Sequence, residues 1–171
     1  MDRAIVSPPA LTLQPEARLA ETTFRQLIRV LGLIERVMQP YFAQFEISGS
    51  QWGVLRNLHR AEGEGMTGLR LTDLSERLLI RPPSVTGVVD RLERGGLVVR
   101  DGTPTDLRAK RVRLTDRGRQ IVEQVLAVHG SKIESILGCL SAEEQGELHR
   151  LLLRLEEHLE RPDFRAGATA G

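Results

Sequence analysis

The chain has 171 residues, which is enough to bury a sizeable core, and one domain is the simplest organisation. Its composition, 40% apolar and 27% charged, is that of an ordinary globular protein, and a net charge of +1 does not by itself indicate a polyanionic partner. The single cysteine excludes an internal disulfide framework, and the short, charge-broken apolar runs exclude a membrane span, so we expect a cytoplasmic protein with no membrane partner.

Residues 1–14 contain two adjacent prolines and little apolar periodicity, which predicts a flexible N-terminal arm. Pro15 can begin a long helix, whose apolar stripe continues to about Phe45. Pro40 is expected to kink or end this helix, because proline lacks an amide proton. The stripe is long for one small domain, so we favour a core shared by two copies over packing within one chain.

The next segment predicts two shorter helices. Ser48-Gly49-Ser50-Gln51 has the spacing of a capping box, so a helix should begin there and end near the glycine-rich loop Ala61–Gly65. Leu69–Leu71 is expected to form a short strand. Thr72 is expected to cap a further helix that runs to about Leu79.

A break at Arg81-Pro82-Pro83 precedes another helix, which should stop at Gly95-Gly96. Val85, Val88, Val89 and Leu92 recur at helical spacing and predict one buried face.

The opposite face of this helix is polar and carries Pro83, Gly87, Asp90, Arg91 and Arg94. The first turn of the helix is narrow. A first turn made of small residues can enter a major groove closely, with its N–H groups and hydroxyls aimed at phosphates and base edges. An ordinary surface helix with a solvated charged face would show the same pattern, so this helix alone leaves both interpretations open.

Two β-type runs follow, Leu97–Arg100 and Arg111–Leu114, joined by a polar loop that predicts a two-stranded wing. Within the loop, Asp106 and Arg108 are two residues apart and lie on one face of an extended chain, so the carboxylate can orient the guanidinium. An arginine held in this way on a hairpin tip suits a narrow, electronegative minor groove. A surface ion pair of little consequence is the alternative, and the basic residues that follow directly, such as Lys110, argue against it.

The charge distribution supports this interpretation of the middle of the chain. Residues 70–119 carry 12 Lys/Arg against 7 Asp/Glu, whereas residues 120–171 carry 5 against 9. A basic middle beside an acidic end predicts that only the middle faces a polyanion.

Thr115 is expected to cap a long helix whose apolar face continues to Leu140. Gly130 and Gly138 would each cost this helix about 1 kcal/mol relative to alanine. Cys139, at its end, is predicted to be a buried, inert thiol.

A last helix is predicted from Ser141-Ala142-Glu143-Glu144, where the acids suit the helix dipole. A leucine stripe then runs from Leu148 to Leu159, and Pro162 should stop the helix. Residues 162–171 are predicted to be a tail.

Five groups of residues in the middle of the chain follow one another in a characteristic order and spacing. They are Leu71–Leu78, Val85–Glu93, Gly96-Leu97-Val98, Asp106-Leu107-Arg108 and Leu114–Gly118. With these residues the centre of the chain resembles the winged helix-turn-helix of the MarR family of bacterial transcriptional regulators. It departs from the family at Gly87, where many members carry a larger polar or basic residue, although the glycine lets the backbone come closer to DNA.

The resemblance implies a mainly α fold with a small β-wing (α+β). Residues 48–114 would form the winged helix-turn-helix lobe, and residues 15–47 with 115–161 would form a helical dimerisation lobe. It also implies a nucleoid-associated homodimer that binds double-stranded DNA and represses transcription, and that a small aromatic or phenolic ligand releases from its operator. No cofactor and no enzymatic activity are implied.

The resemblance also suggests roles for individual residues. Arg108, oriented by Asp106, would enter the minor groove. The residues expected to contact base edges or to form the helix's first turn are Arg81, Pro83, Ser84, Thr86 and Gly87. The residues expected to contact phosphates are Arg91, Arg94, Lys110 and Arg111. The residues that could line the family's effector pocket are Tyr41, Phe45, Trp52, Leu55 and His59, although plain core packing explains each of them taken singly.

Two other classes remain open beside a ligand-released regulator. One is a metal- or redox-sensing regulator of the same fold, and the other is a ligand-independent architectural or anti-silencing protein. The histidines and the cysteine are scattered without metal-ligand spacing, so we expect no metal site. No nucleophile motif is present, and we expect no enzyme.

Overall fold

The computed structural model describes residues 15–101 and 111–163, and its elements follow the predicted order. They are α1 (Pro15–Ala43), α2 (Gly49–Gly63), α3 (Leu71–Leu78), α4 (Pro82–Arg94), β1 (Val98–Asp101), β2 (Arg111–Leu114), α5 (Asp116–Leu137) and α6 (Ala142–Glu160). The prediction of a mainly helical fold with a small β-wing is confirmed. The predicted arm, the loop of the wing and most of the predicted tail lie outside the described residues.

The chain forms two compact units that divide within α5. The first extends to Val122, and the second begins at Glu123. The predicted grouping of residues 15–47 with 115–161 concerns a lobe shared by two copies, and it stays a prediction.

Helix α2 is the centre of the first unit, because it contacts α1, α3, α4 and β2. It buries Trp52, Val54, Leu55, Leu58 and Ala61. The capping box at its start is confirmed: the Gln51 amide donates to the Ser48 hydroxyl at 3.3 Å, and the Ser48 amide donates to the Gln51 side chain at 2.8 Å.

Helix α1 contains Pro40 but continues past it to Ala43, so the proline does not end the helix. Near its C-terminal end α1 buries Met38, Tyr41 and Phe42. Earlier in the helix the large apolar side chains are exposed, namely Leu19, Phe24, Ile28, Val30, Leu31, Leu33 and Val37.

The start of α3 differs from the prediction. The helix begins at Leu71, with Arg70 at the capping position, so the expectation that Thr72 caps it was wrong. The reason is that Asp73 accepts the Arg70 amide at 2.9 Å and so fixes the first turn one residue earlier. The predicted strand at Leu69–Leu71 reduces to a single antiparallel bridge between Leu69 and Val112.

Gly68 makes that bridge feasible. Its φ of +139° is one that L-residues rarely adopt, and a Cβ there would lie 2.7 Å from the carbonyl oxygen of Val112. A side chain at this position would therefore push the α2–α3 connection away from β2.

Helix α4 begins at Pro82 and ends at Arg94, as predicted. Gly96, with φ +68°, provides the left-handed turn that follows it, whereas Gly95 stays in the helical region. The wing strands pair antiparallel, with Val98 opposite Leu114 and Asp101 opposite Arg111, which confirms the predicted hairpin.

Thr115 caps α5 as predicted: its hydroxyl accepts the Gly118 amide at 3.0 Å and donates to the carbonyl of Gly96 at 2.7 Å. One hydroxyl can make both bonds. Gly118 is needed here because a Cβ would overlap the carbonyl oxygen of Leu97. The turn after α4 and the start of α5 are thus held together.

Helix α5, which leads into the second unit, ends earlier than predicted. Helix α5 ends at Leu137, so Gly138 follows the helix and does not weaken it. The side-chain amide of Gln145 donates to the carbonyls of Leu137 and Leu140, at 3.4 and 3.0 Å, and ties this end of α5 to α6. Cys139 lies in the connection and is exposed, so the prediction of a buried thiol was wrong.

Helix α6 starts with a capping box formed by Ser141 and Glu144, as its sequence indicates. None of its residues is buried, and its leucines are all exposed by 39–49% of their surface. Within the ranges that the structure describes, no helix is long and apolar enough to cross a bilayer.

Arg100 of β1 connects the wing to α4. Its guanidinium contacts Asp90 at 2.5 Å and Glu93 at 2.6 Å, and its amide donates to Glu93 at 3.3 Å. The Arg100 side chain is 20% exposed, whereas those of Asp90 and Glu93 are 48% and 38% exposed, so the guanidinium is shielded from water and the carboxylates are partly hydrated. A planar guanidinium can hold two carboxylates at once, which a lysine cannot do with the same geometry.

Replacing Arg100 with leucine should therefore lower the free energy of unfolding by about 1–2 kcal/mol, because two carboxylates lose their charged partner. Thermal unfolding measures the change. Arg150→Ala is the matched control: its contact with Glu147 is exposed and within one helix turn, so its loss should leave the midpoint nearly unchanged. Equal midpoints for the two variants would contradict a structural role for the Arg100 contacts.

Candidate nucleic-acid interface

Helix α4 has one buried face and one exposed face. Val85, Val88, Val89 and Leu92 are all buried, which confirms the predicted apolar face. These side chains pack in the first unit, where α4 contacts α2, α3 and β1. The direction in which the polar face points is therefore fixed by the core.

The N-terminus of α4 is exposed but offers few backbone donors. Arg81 is the cap residue, and Pro82 and Pro83, which lack amide protons, take the first two helical positions. The next amide, that of Ser84, donates to the carbonyl of Arg81 at 3.0 Å. The backbone N–H groups expected to face phosphates are consequently absent or used in this turn, and any polar contact must come from side chains.

Arg81, Pro83 and Ser84 are exposed at this end of the helix, whereas Thr86 is half-buried. The Thr86 hydroxyl donates to the carbonyl of Pro82 at 3.1 Å, so its proton is used and its oxygen can still accept. Of the predicted base-edge residues, Arg81 and Ser84 are thus the most accessible.

Gly87 lies one turn before Arg91, and the Arg91 side chain covers the space beside Gly87. A Cβ at Gly87 would meet only one atom, a terminal guanidinium nitrogen of Arg91, at 3.8 Å. The arginine therefore leans back towards the start of α4, as long helical side chains do. The cation stands over the position at which the sequence departs from the family that it resembles.

The arginines predicted to contact phosphates differ in whether their guanidinium groups already have partners within the protein. Among the described residues, Arg81, Arg91 and Arg94 have no carboxylate partner, although Arg94 donates to the carbonyl of Asp90 at 3.3 Å. Arg111 is half-buried and donates to the carbonyl of Gly68 at 2.9 Å, so part of its guanidinium is already used.

Sequence reasoning did not identify the charge pairs at the base of the wing. Arg113 pairs with Asp101 across the two strands, and this hydrogen bond raises the pKa of Arg113. Arg119 of α5 contacts Glu62 of α2 at 3.0 Å, and the hydrogen bond to Glu62 likewise raises its pKa. Arg119 and Glu62 are 57 residues apart in the chain, and the Arg113–Asp101 pair depends on the register of the two strands, so no local spacing indicated either pair.

The tip of the wing cannot be described in the same way. Asp106, Arg108 and Lys110 lie outside the described residues, and their predicted roles stay predictions.

The proposed effector residues fall in and beside an aromatic cluster between α1 and α2. The Tyr41 ring lies 5.6 Å from that of Phe45 and 5.0 Å from that of Phe42, which in turn lies 5.9 Å from Trp52. Burial raises the pKa of the Tyr41 phenol above its ordinary value.

These side chains differ in accessibility. Tyr41 and Trp52 are buried, Leu55 has no exposed surface, and Phe45 and His59 are half-buried. A neighbouring cavity of about 340 Å³ is lined by Leu31, Ile34, Glu35, Met38, Gln39, Phe42 and Ser48–Ser50, and it includes none of the five. Within the described ranges, no three His, Cys, Asp or Glu side chains come together as a metal site would require.

A sequence model of the MarR family matches residues 45–109. The transcriptional regulator PecS of Dickeya dadantii is 30% identical over 133 residues, which cover 78% of this chain and 79% of PecS. The region matched by the family model includes α2, α3, α4 and β1, and it ends just before β2.

Solved structures agree with this assignment. A MarR mutant from E. coli in complex with operator DNA has a TM-score of 0.68 and 26% identity, over 77% of this chain and 91% of that one. The MepR–DNA complex of S. aureus also has a TM-score of 0.68, with 25% identity over 82% and 99% of the two chains. From the helix-turn-helix, the wing and this similarity, the chain belongs to the MarR family of DNA-binding transcriptional regulators.

Proposed function

We propose that two copies of this chain bind a pseudo-palindromic operator and repress transcription, with α4 of each copy in a major groove. The observation that carries the proposal is the exposed face of α4, where Arg81 and Arg91 have no carboxylate partner among the described residues. Two relatives of the same family were solved on DNA, one of them on operator DNA, which supports the same use of this face. A nucleoid-associated location in the cytoplasm follows from the proposal.

In this arrangement Arg81, Ser84 and Thr86 read base edges, with Pro83 and Gly87 allowing a close approach. Arg91, Arg94, Lys110 and Arg111 contact phosphates and fix the register of the protein on the duplex. Arg108, oriented by Asp106, inserts into the flanking minor groove. A two-fold dimer would place its half-sites about 34 Å apart or a multiple of that distance.

Arg108→Ala should weaken binding by about 1–3 kcal/mol, because the minor-groove cation is lost. The measurement is a salt-matched titration with the duplex that the wild-type protein selects from a random-sequence pool. Arg161→Ala, at the exposed end of α6, is the control and should bind as the wild type does. An unchanged affinity for Arg108→Ala would remove the wing from the mechanism.

The proposed dimer rests on apolar surface that the single chain leaves uncovered. Helix α1 exposes seven large apolar side chains, and α6 exposes Leu148, Leu151, Leu152, Leu153, Leu155 and Leu159. Isolated exposed leucines are ordinary, but stripes of them along whole helices indicate an interface. A second copy is the partner that closed symmetry provides, since it brings the same stripes.

Leu152→Glu should therefore convert the dimer to a monomer, because it places a charge in the middle of the α6 stripe. Sedimentation equilibrium measures the mass. Arg154→Glu, on the opposite side of α6, is the matched control and should leave the dimer intact. A wild-type protein that sediments as a monomer at micromolar concentration would contradict the proposal.

We further propose that a small aromatic or phenolic ligand binds near Tyr41, Phe45, Trp52, Leu55 and His59 and releases the operator. The support is the aromatic cluster, whose half-buried ring, Phe45, is accessible without unfolding. Leu55 has no exposed surface, so a ligand reaches it only if the elements packed against α2 move. Such a ligand can act only by binding the DNA-incompetent arrangement more tightly than the competent one.

If the cluster is this site, 4-hydroxybenzoate or phenol should raise the unfolding midpoint and weaken operator binding. Phe45→Leu, which removes the ring but keeps an apolar side chain, should reduce both effects, and the exposed control Arg161→Ala should not. Operator binding that ignores every aromatic probe would favour the architectural alternative. Binding that changes with zinc, or with blocking of the exposed Cys139, would favour the metal- or redox-sensing one.

A further inference from the structure

One strongly exposed apolar side chain belongs to none of the helices of the proposed dimer surface. Leu79, in the turn between α3 and α4, is 80% exposed, more than any other large apolar residue that the structure describes. Its neighbour Ile80 is 36% exposed. The other exposed large apolar residues lie on α1, α5 and α6, which belong to the predicted dimerisation lobe, and this leaves Leu79 and Ile80 unexplained.

The backbone at Leu79 is also unusual. Its φ and ψ of 53° and 35° are left-handed, a conformation that favours glycine or asparagine at the end of a helix. A leucine there is strained, because its Cβ crowds the backbone. The residue therefore lowers the stability of the turn and exposes apolar surface at the same time.

The turn cannot relax out of this conformation without losing contacts. The Ile80 amide donates to the carbonyl of Ser75 at 3.2 Å, and the buried Ser75 hydroxyl donates to the carbonyl of Ile80 at 2.5 Å. The Leu79 amide donates to the carbonyl of Glu76 at 3.2 Å. The Leu79 side chain is thus held outward from a fixed backbone.

The position of Leu79 indicates what could cover it. Arg81, the cap of α4, follows two residues later, and both Arg81 and Ser84 are exposed. A duplex that receives the start of α4 in its major groove brings the wall of that groove towards this turn. The apolar groups on that wall are the C5-methyl of thymine and the carbons of deoxyribose.

We propose that Leu79 is a DNA contact, in which its side chain packs against the apolar CH groups of a thymine methyl or a deoxyribose beside the site of α4. The inference rests on the proposed placement of α4 in a major groove. A strained residue retained on a binding face is the arrangement expected when function offsets a local cost in stability.

The test uses Leu79→Asn and Leu79→Gly in the full chain, with the duplex that the wild-type protein selects from a random-sequence pool. Both replacements tolerate the left-handed backbone, so the unfolding midpoint should stay the same or rise. Affinity for the selected duplex should nevertheless fall about fivefold or more, because the apolar contact is lost. Leu79→Met, which keeps an apolar side chain, should retain most of the affinity.

Glu46 provides a matched control, because it is the other non-glycine residue with a positive φ, 57°, among the described residues. Glu46→Asn relieves the same backbone conformation in the α1–α2 turn and should leave DNA affinity unchanged. Replacing the thymines of the duplex one at a time by deoxyuridine then separates the two sources of the contact. If one thymine-to-deoxyuridine replacement lowers the affinity of the wild type but not that of Leu79→Asn, the contact is with a thymine methyl group. If no replacement lowers the affinity of the wild type in this way, the contact is with deoxyribose.

Unchanged or improved affinity for Leu79→Asn and Leu79→Gly, together with a raised midpoint, would overturn the proposal and leave Leu79 as a strained cap only. Failure of the wild-type protein to select any duplex would instead overturn the proposed function, so the two failures are distinguishable.

Discussion

The structure depends on the packing that fixes the orientation of α4. Its apolar side chains are buried in the first unit, and Arg100 of the wing holds Asp90 and Glu93 on its other side. A helix that reads a groove must present the same side chains in the same direction each time, and a buried face combined with a charged contact from the wing provides this. The turn after α4 is held as well, since Thr115 bonds to the carbonyl of Gly96.

The same constraint explains the chemistry of the exposed face. Two prolines begin α4 and remove the backbone donors that commonly hold anions at a helix N-terminus. Recognition is therefore left to side chains, among which Arg91 leans over Gly87 and Arg81 caps the helix. A surface without free backbone donors relies on arginine, whose planar group suits both phosphate and guanine.

Much of this could be predicted from the sequence, because local spacing carries the information. The apolar positions of α4, the capping box at Ser48 and the glycine after α4 are all encoded within one or two helical turns. Two predictions about local structure were wrong. Asp73 rather than Thr72 determines where α3 begins, and Cys139 is exposed because α5 ends before it. The contacts of Arg100, Arg113 and Arg119 could not be predicted, because they join residues that only the fold brings together.

The central claim is that α4 of each copy occupies a major groove. Guanine N7 methylation interference on the selected duplex tests it most directly, because the methyl group projects into that groove. The account predicts two symmetry-related clusters of interfering positions on one face of the duplex, with centres about 10–10.5 base pairs apart or a multiple of that spacing. Interference at no position, or scattered around the duplex without two-fold symmetry, would contradict it.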